Sequence, residues 1–258
     1  MSNDAALLAR QIGYEQRSYW RNPTAAGFTF LFPIVLLVIF ASLNSKATIT
    51  TLGPERLKYI QYYIPAIVAF GVMGACFTNL SITVTLKRDA GILKRVRGTP
   101  LPPWAYLGGL LGSSVIVSVL LVVLVTVVGV VAYGITFPGR WLPLAVTLVL
   151  GSATFCSLGL ALSAAIPNGE AGPAIANLIF FPLLSISGGF YPVPDTSVLG
   201  RVASVFPVKH FINATFAAYD PRRHGWGFRP TDLAVMAAWG VVGLVVALRR
   251  FRWEPSSR

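Results

Sequence analysis

Charged residues are scarce in this sequence of 258 residues: Asp, Glu, Lys and Arg together occupy 12% of the positions, and apolar residues occupy 55%. A soluble domain usually carries about 25% charged residues, so the composition excludes an ordinary soluble fold. A helix that spans a membrane needs about 20 apolar residues, so five of the six uncharged stretches are long enough and the last is marginal. Those stretches cover residues 22–45, 61–86, 98–139, 141–169, 171–194 and 233–248.

Charged residues and histidines are both missing from these stretches. Both histidines, His210 and His224, fall outside them. Carriers driven by protons or ions usually keep ionisable groups within the membrane, so a self-powered carrier is disfavoured, and so is an intramembrane enzyme. The two cysteines, Cys76 and Cys156, lie inside predicted spans and are interpreted as small apolar residues, with neither a disulfide nor a metal site.

A phosphate-binding loop of the Gly-Lys-Ser/Thr type is also absent, because no lysine in the sequence follows a glycine. The chain is therefore expected to bind no cofactor, and any nucleotide must be bound by another polypeptide. The net charge of +12 comes from basic residues that flank the apolar stretches. Attraction to the headgroups of anionic lipids explains that charge without nucleic-acid binding.

The fold class predicted from these stretches is an all-α integral membrane protein. We expect six transmembrane helices within a domain over residues 25–250, followed by a cytosolic tail over 251–258. The basic residues before the first span, between the second and third spans and after the last span amount to 12 of the 21 Lys and Arg. By the positive-inside rule, both termini are cytoplasmic. The predicted spans cover about residues 25–43, 62–85, 106–133, 141–166, 171–188 and 233–248.

Residues 1–24 have the pattern of an amphipathic helix. Leu7, Leu8, Ile12 and Tyr19 recur at helical spacing among charged residues, and Asn22-Pro23 ends the pattern. Such a helix lies on the inner membrane surface. It serves either as a passive anchor for the first span or as a contact for a partner, and the sequence leaves both open.

The segment from Gly189 to Thr231 is too apolar for an ordinary outer loop. Two short helices that dip into the outer leaflet, on either side of Pro207, accommodate its apolar residues. A folded extracellular cap is the alternative. Pro182, inside the fifth predicted span, predicts a kink just before this region.

A short basic segment over residues 87–101, between the second and third spans, is the most informative part of the chain. Ile92, Leu93 and Val96 share one helical face with Asp89, and Gly98-Thr99-Pro100 ends the helix. The pattern predicts a short cytosolic helix with an apolar stripe available for docking. The alternative is a loop whose charges fix the orientation of two spans and touch lipid phosphates.

This segment resembles the Glu-x-Gly-x-Leu-Lys-Arg-x-Arg-x-Thr-Pro-Leu signature of ABC-2 type transporter permeases, particularly the daunorubicin-resistance drug exporters. Asp89 stands where the family usually has Glu. Arg21-Asn22-Pro23 and the stretches 187–192 and 206–210 are similar to the same family. The matching positions of the signature are Gly91, Leu93, Lys94, Arg95, Arg97, Thr99, Pro100 and Leu101.

The resemblance implies a permease that pairs with a second permease, either a copy or a paralogue, and with cytosolic ABC ATPase subunits that bind ATP and Mg²⁺. Two sets of residues follow from it. The ATPase-coupling helix would comprise Arg88, Asp89, Gly91, Ile92, Leu93, Lys94, Arg95, Val96, Arg97, Thr99 and Pro100, and an outer re-entrant gate would comprise Gly188, Gly189, Phe190, Pro192 and Pro207.

The expected function is the export of a hydrophobic or amphiphilic compound, such as a drug, an antibiotic or a lipid, across the plasma membrane. Uncharged spans suit apolar cargo. A non-transporting scaffold or sensor that recruits a cytosolic partner through the basic helix is the alternative. Candidates for the lining of the substrate path, which packing or lipid contact would equally explain, are Phe70, Phe77, Phe155, Phe180 and Phe181.

Overall fold

The computed structural model describes residues 2–43, 48–49, 57–191, 193–194, 196–220, 225–251 and 253. Its described part is helical, as predicted, apart from one antiparallel pair of two-residue strands, β1 (Thr48–Ile49) and β2 (Leu57–Lys58). The helices are α1 (Ser2–Trp20), α2 (Pro23–Leu43), α3 (Tyr59–Met73), α4 (Leu80–Asp89), α5 (Ile92–Arg97), α6 (Pro103–Tyr133), α7 (Trp141–Ala165), α8 (Ala171–Ile186), α9 (Val198–Ala203), α10 (Pro207–Tyr219) and α11 (Pro230–Arg250).

Five stretches of helix in the described part are long and apolar enough to cross a membrane: Ala26–Leu43, Tyr59–Asp89, Pro103–Tyr133, Trp141–Ala165 and Pro230–Arg250. They match five of the six predicted spans. The fifth predicted span is represented by α8, which has 16 residues. At 1.5 Å per residue α8 is about 24 Å long, less than the roughly 30 Å of a hydrocarbon core.

The second predicted span changes from α-helical to π-helical geometry in its middle, a feature that the sequence did not predict. A π-helical turn, Gly74–Asn79, joins α3 to α4 within one continuous helix. Gly159 of α7 packs directly on this turn, since a Cβ there would lie 2.9 Å from the carbonyl oxygens of Cys76 and Phe77. Glycine at this position therefore lets the α7 backbone approach the turn.

The core is built around α3 and the π-helical turn, with buried side chains contributed by α4, α6, α7, α8, α10 and α11. Phe155 and Phe211 are among the largest fully buried side chains, and their rings meet edge to face at a centroid distance of 5.5 Å. Gly151 makes room for Phe211, because a Cβ at that position would lie 2.2 Å from the ring. Large apolar side chains on α2, α6 and α11 remain exposed, as expected for surfaces that face lipid.

The N-terminal helix α1 does not stand apart from the spans but packs along the start of α6. Leu8 lies over Gly108 and Ile12 lies over Gly112, where added Cβ atoms would come within 2.8 Å and 2.6 Å of the two side chains. Gln16 Nε2 donates to the carbonyl of Ser113 over 2.9 Å. The small residues of α6 thus receive the apolar face that the sequence predicted for α1.

Gly159→Ala should destabilise the protein, because the atoms that its Cβ would meet are backbone carbonyls that cannot move aside. We expect a loss of about 1–3 kcal/mol, the usual cost of overpacking a core. Thermal unfolding in detergent measures it. Gly74→Ala in the π-helical turn is the matched control, because a Cβ at Gly74 has nothing within 4 Å. Equal melting temperatures for both variants would contradict the packing described here.

Candidate functional site

The corner between α4 and α5 is made by Gly91, whose φ of 68° is left-handed and suits glycine. The chain therefore ends one helix at Asp89 and starts another at Ile92. Asp89 was predicted to lie on the same helix as Ile92, Leu93 and Val96, and that prediction is wrong, because the turn at Gly91 separates them. The end of α5 at Arg97 agrees with the predicted stop at Gly98-Thr99-Pro100.

The apolar stripe predicted for docking is mostly used within the chain. Leu93 is 0% exposed and belongs to the main core, and Val96 packs against it. Ile92, at 40% exposure, remains accessible. The other exposed residues of the segment up to Pro100 include three basic ones, and the full set is Asp89, Ala90, Lys94, Arg95, Arg97, Gly98, Thr99 and Pro100. We call Lys94, Arg95 and Arg97 the basic face of α5.

Arg88 and Asp89, which were expected in the ATPase-coupling helix, bind the connection between α7 and α8. Arg88 is 3% exposed, and its guanidinium donates to the carbonyls of Ser163 and Ile166 over 2.9 Å and 2.7 Å. The Asp89 carboxylate accepts a hydrogen bond from the backbone N–H of Gly169. Sequence reasoning missed these contacts because the partners lie 75 or more positions away.

A third charged residue of the segment, Lys87, ties α4 to α1. Its Nζ lies 2.7 Å from Oε2 of Glu15, which is 5% exposed. The same Nζ lies 5.7 Å from the centre of the Tyr106 ring on α6. The amphipathic helix α1 is thus attached to the end of the second span by a largely buried ion pair.

Nearby on α1, burial raises the pKa of Tyr19 above its ordinary value, so this phenol stays neutral at physiological pH.

An aromatic groove of about 470 Å³ lies between α2, the π-helical turn with its flanking helices, and α8. The rings of Phe32, Phe70 and Phe180 follow one another along it, at centroid distances of 5.5 Å and 5.1 Å. None of the described residues that line it is charged. Its other lining residues are Phe28, Thr29, Pro33, Gly71, Gly74, Ala75, Thr78, Asn79, Ile82, Asn177 and Phe181.

The structure brings together three of the five phenylalanines expected along a substrate path. Phe70, Phe180 and Phe181 line the aromatic groove, whereas Phe77 and Phe155 line a separate cavity of about 280 Å³ beside Trp239. Phe155 is 1% exposed and packs in the core. Phe28 and Phe32 of α2 were missed, because an almost uniformly apolar helix gives no sign of which face its neighbours cover.

The outer segment after α8 is held by two tyrosines of α3. Tyr62 Oη donates to the carbonyl of Gly188 over 2.7 Å, and Tyr63 Oη donates to the carbonyl of Phe190. Gly188 has a φ of 92°, which favours glycine, and Gly189 follows it in the same bend. Pro192, the fourth predicted gate residue in chain order, lies outside the described residues, as do 252 and 254–258 of the predicted tail.

Two helices occur where the sequence predicted them, α9 before Pro207 and α10 with Pro207 as its first residue. They are fixed to the last span. His210 Nδ1 lies 2.6 Å from Asp232 Oδ1, and Asp232 also pairs with Arg229. Trp239 Nε1 donates to the carbonyl of Val205 over 2.7 Å. Helices α9 and α10 are therefore packed into the bundle.

Among the described residues, five helical stretches of spanning length, with an aromatic groove beside them and a basic corner at the end of one, are typical of a multi-pass membrane protein. The model of the family described as ABC-2 type transporter matches residues 6–219. The chain therefore belongs to the ABC-2 type transporter family, whose members are the membrane subunits that work with ABC ATPase subunits.

Two curated relatives show the same kinship. A protein named putative transport permease YvfS, from Bacillus subtilis (strain 168), is 24% identical over 210 residues, which cover 80% of this chain and 82% of that protein. A protein named probable multidrug ABC transporter permease YbhR, from Escherichia coli (strain K12), is 23% identical over 177 residues, which cover 68% of this chain and 48% of that protein. The match thus spans about half the length of YbhR.

Leu93→Ala should lower the stability of the protein by about 2–5 kcal/mol, because the Leu93 side chain is fully buried. Ile92→Ala is the matched control. The Ile92 side chain is 40% exposed, so its removal should lower the stability much less. Thermal unfolding of both variants in the same detergent measures the difference. If Leu93→Ala had the same melting temperature as the wild type, the Leu93 side chain would be free to contact a partner, which would contradict its burial in the core.

Proposed function

We propose that this chain is the permease subunit of an ATP-driven exporter that moves a hydrophobic or amphiphilic compound across the plasma membrane. The aromatic groove carries this proposal. It combines rings of phenylalanine with the hydroxyl and amide groups of Thr78, Asn79 and Asn177, and no charged side chain is among its described lining residues. Apolar walls with a few polar groups are typical of sites for small organic ligands.

The groove has unused hydrogen-bonding capacity as well as apolar surface. Thr78 Oγ1 is buried and has no hydrogen-bond partner within the described structure. The side-chain amides of Asn79 and Asn177 line the same groove. The cargo is then an amphiphile: its apolar part contacts the rings, and its polar part reaches one of these amides.

The basic face of α5 is the proposed contact for the ATPase. Lys94, Arg95 and Arg97 are exposed, while the neighbouring Leu93 fastens α5 to the bundle. A short helix that is held on one side and charged on the other can receive a push from a partner and pass it on. ATP and Mg²⁺ belong to that partner.

In this proposal, both termini and α5 lie on the cytoplasmic side of the membrane. Helix α8 forms the sixth crossing. A second permease, which is either a copy of this chain or a paralogue, completes the assembly.

The transport test uses the tagged chain purified together with the ATPase subunit that accompanies it, and reconstituted in proteoliposomes. Two fluorescent probes, daunorubicin and an NBD-labelled phosphatidylethanolamine, represent aromatic drugs and lipids. ATP-dependent movement of either probe supports the exporter. An ATPase subunit that binds and hydrolyses ATP without moving either probe would favour the scaffold or sensor alternative.

Phe181→Ala should weaken the binding of daunorubicin to the purified chain by about tenfold, corresponding to the loss of about 1.5 kcal/mol of apolar contact. Phe181 is 44% exposed, so its removal should have little effect on folding. Fluorescence polarisation of the dye measures the affinity. Phe137→Ala is the control, because Phe137 is 66% exposed and lies outside the groove. The same affinity in both variants would remove the groove as the binding site.

Replacing Arg95 and Arg97 together by Glu should abolish co-purification of the ATPase subunit at low salt, because the reversed charges repel a surface that fits the basic face. The wild-type complex should weaken as salt is raised, since exposed charges are screened. Arg201→Glu, a charge reversal at an exposed residue of α9, is the control. If the double variant retained the ATPase subunit as well as Arg201→Glu does, the contact would lie elsewhere.

A further inference from the structure

Arg88 belongs to α4, and its side chain reaches the C-terminal end of α7. The last carbonyl groups of a helix lack partners within that helix. The Arg88 guanidinium donates to Ser163 O at 2.9 Å, Ile166 O at 2.7 Å and Pro167 O at 3.3 Å. Ser163 lies in the last turn of α7, and Ile166 and Pro167 follow the helix directly, so a buried cation there is stabilised by these carbonyls and by the partial negative charge of the helix end. With 3% exposure, Arg88 is not available to another protein.

The next residue, Asp89, contacts the connection just before the N-terminal end of α8. Its Oδ2 accepts from the N–H of Gly169, two residues before α8 begins at Ala171. Asn168 Oδ1 accepts from the N–H of Ala171 over 2.9 Å, so the start of α8 is formed by the same connection. The first N–H groups of a helix carry partial positive charge and favour a carboxylate.

The order of the two charges fits the order of the two helix ends. Arg88 faces the negative end of α7, Asp89 faces the positive start of α8, and Arg88 Nε lies 3.4 Å from Asp89 Oδ1. Exchanging the two residues would place each charge against a helix end of the same sign. We call Arg88 and Asp89, together with residues 163–169, the clamp.

The clamp is closely packed as well as charged. A Cβ added at Gly169 would lie 2.9 Å from Leu86 Cδ2 and 3.5 Å from Asp89 Oδ2. Further along, a Cβ at Gly172 would come within 3.9 Å of the Cα of Ile82. The end of α4 and the start of α8 therefore touch over several residues, which leaves little room for one to move without the other.

The position of the clamp connects α5 to the aromatic groove. On one side, α5 begins three residues after Asp89, beyond the turn at Gly91. On the other side, α8 carries Asn177, Phe180 and Phe181, which form one wall of the groove. A displacement of α5 that moves the end of α4 would act on α8 through the clamp.

We propose that Arg88 and Asp89 are positioning residues that make the α4–α5 corner and the α7–α8 connection move as one body, so that movement of α5 alters the aromatic groove. This inference rests on the proposed function, since it needs a partner that moves α5. It assigns to these two residues an internal role in place of the ATPase contact that the family resemblance implied.

The first test uses Asn177→Cys in the groove as a reporter, labelled with N-ethylmaleimide in the complex with the co-purified ATPase subunit, with and without ATP. The native Cys76 and Cys156 are buried, and the chain without Asn177→Cys gives their background. We expect the labelling rate to depend on ATP when Arg88 is present. Arg88→Lys keeps the positive charge but cannot reach three carbonyls, and should retain the ATPase subunit while reducing the ATP response about fivefold or more.

The second test restores the connection by a different bond. Asp89→Cys combined with Gly169→Cys should lose the ATP response when reduced and regain it when oxidised to a disulfide. Gly169 is not among the glycines with positive φ, so its backbone accepts a cysteine. Each single cysteine variant, treated with the same oxidant, is the control and should not regain the response.

The outcomes separate the clamp from the proposed function. Loss of the ATPase subunit from Arg88→Lys would show that Arg88 contacts the partner and would overturn the clamp. An unchanged ATP response in Arg88→Lys, or no recovery on oxidation of the double cysteine variant, would overturn it too. If the wild-type chain retained no ATPase subunit, the proposed function itself would fail, and the clamp with it.

Discussion

In the described part of this protein, the buried charged residues Glu15, Arg88 and Asp232 each bind a partner on another helix or at its end, and the arrangement of the bundle depends on these partners. An unpaired charge in a medium of low dielectric constant costs several kcal/mol, so a buried ionisable residue must find its partner before its helices can come together. Glu15 joins α1 to α4, Arg88 joins α4 to α7, and Asp232 joins α11 to α10. Apolar contacts fill the space between these junctions, but the junctions determine which helix ends meet.

The π-helical turn complements these junctions in the middle of the second span. One side of the turn offers its carbonyls to Gly159 of α7, and the other side presents Gly74, Ala75 and Thr78 to the aromatic groove. Small residues on the groove side keep the space open, while glycine on the far side keeps the helix close to its neighbour. A π-helical turn is often found at a functional position, and here it forms the back wall of the groove.

The fold was largely readable from the sequence, because lipid-facing helices need uninterrupted apolar stretches and charge marks their ends. Five spans, the N-terminal helix, the short basic helix and the two outer helices follow from such stretches, and the helix break at Asn22-Pro23 agrees with the start of α2 at Pro23. The candidate site was less predictable. Phe28 and Phe32 belong to a helix that is apolar on every side, and the partners of Arg88 lie 75 to 79 positions away. Burial of Leu93 likewise depends on neighbours that no local pattern reveals.

The packing of α1 on α6 sets the order in which the chain can assemble. Gln16 and its partner Ser113 are separated by 97 residues, so α1 has no binding surface until two spans and the start of a third have followed it. At about 5–20 residues per second, that interval lasts roughly 5–20 seconds. During this time the apolar face of α1 has to be accommodated by the membrane surface, and its arrival on the glycines of α6 marks the completion of the N-terminal half of the bundle.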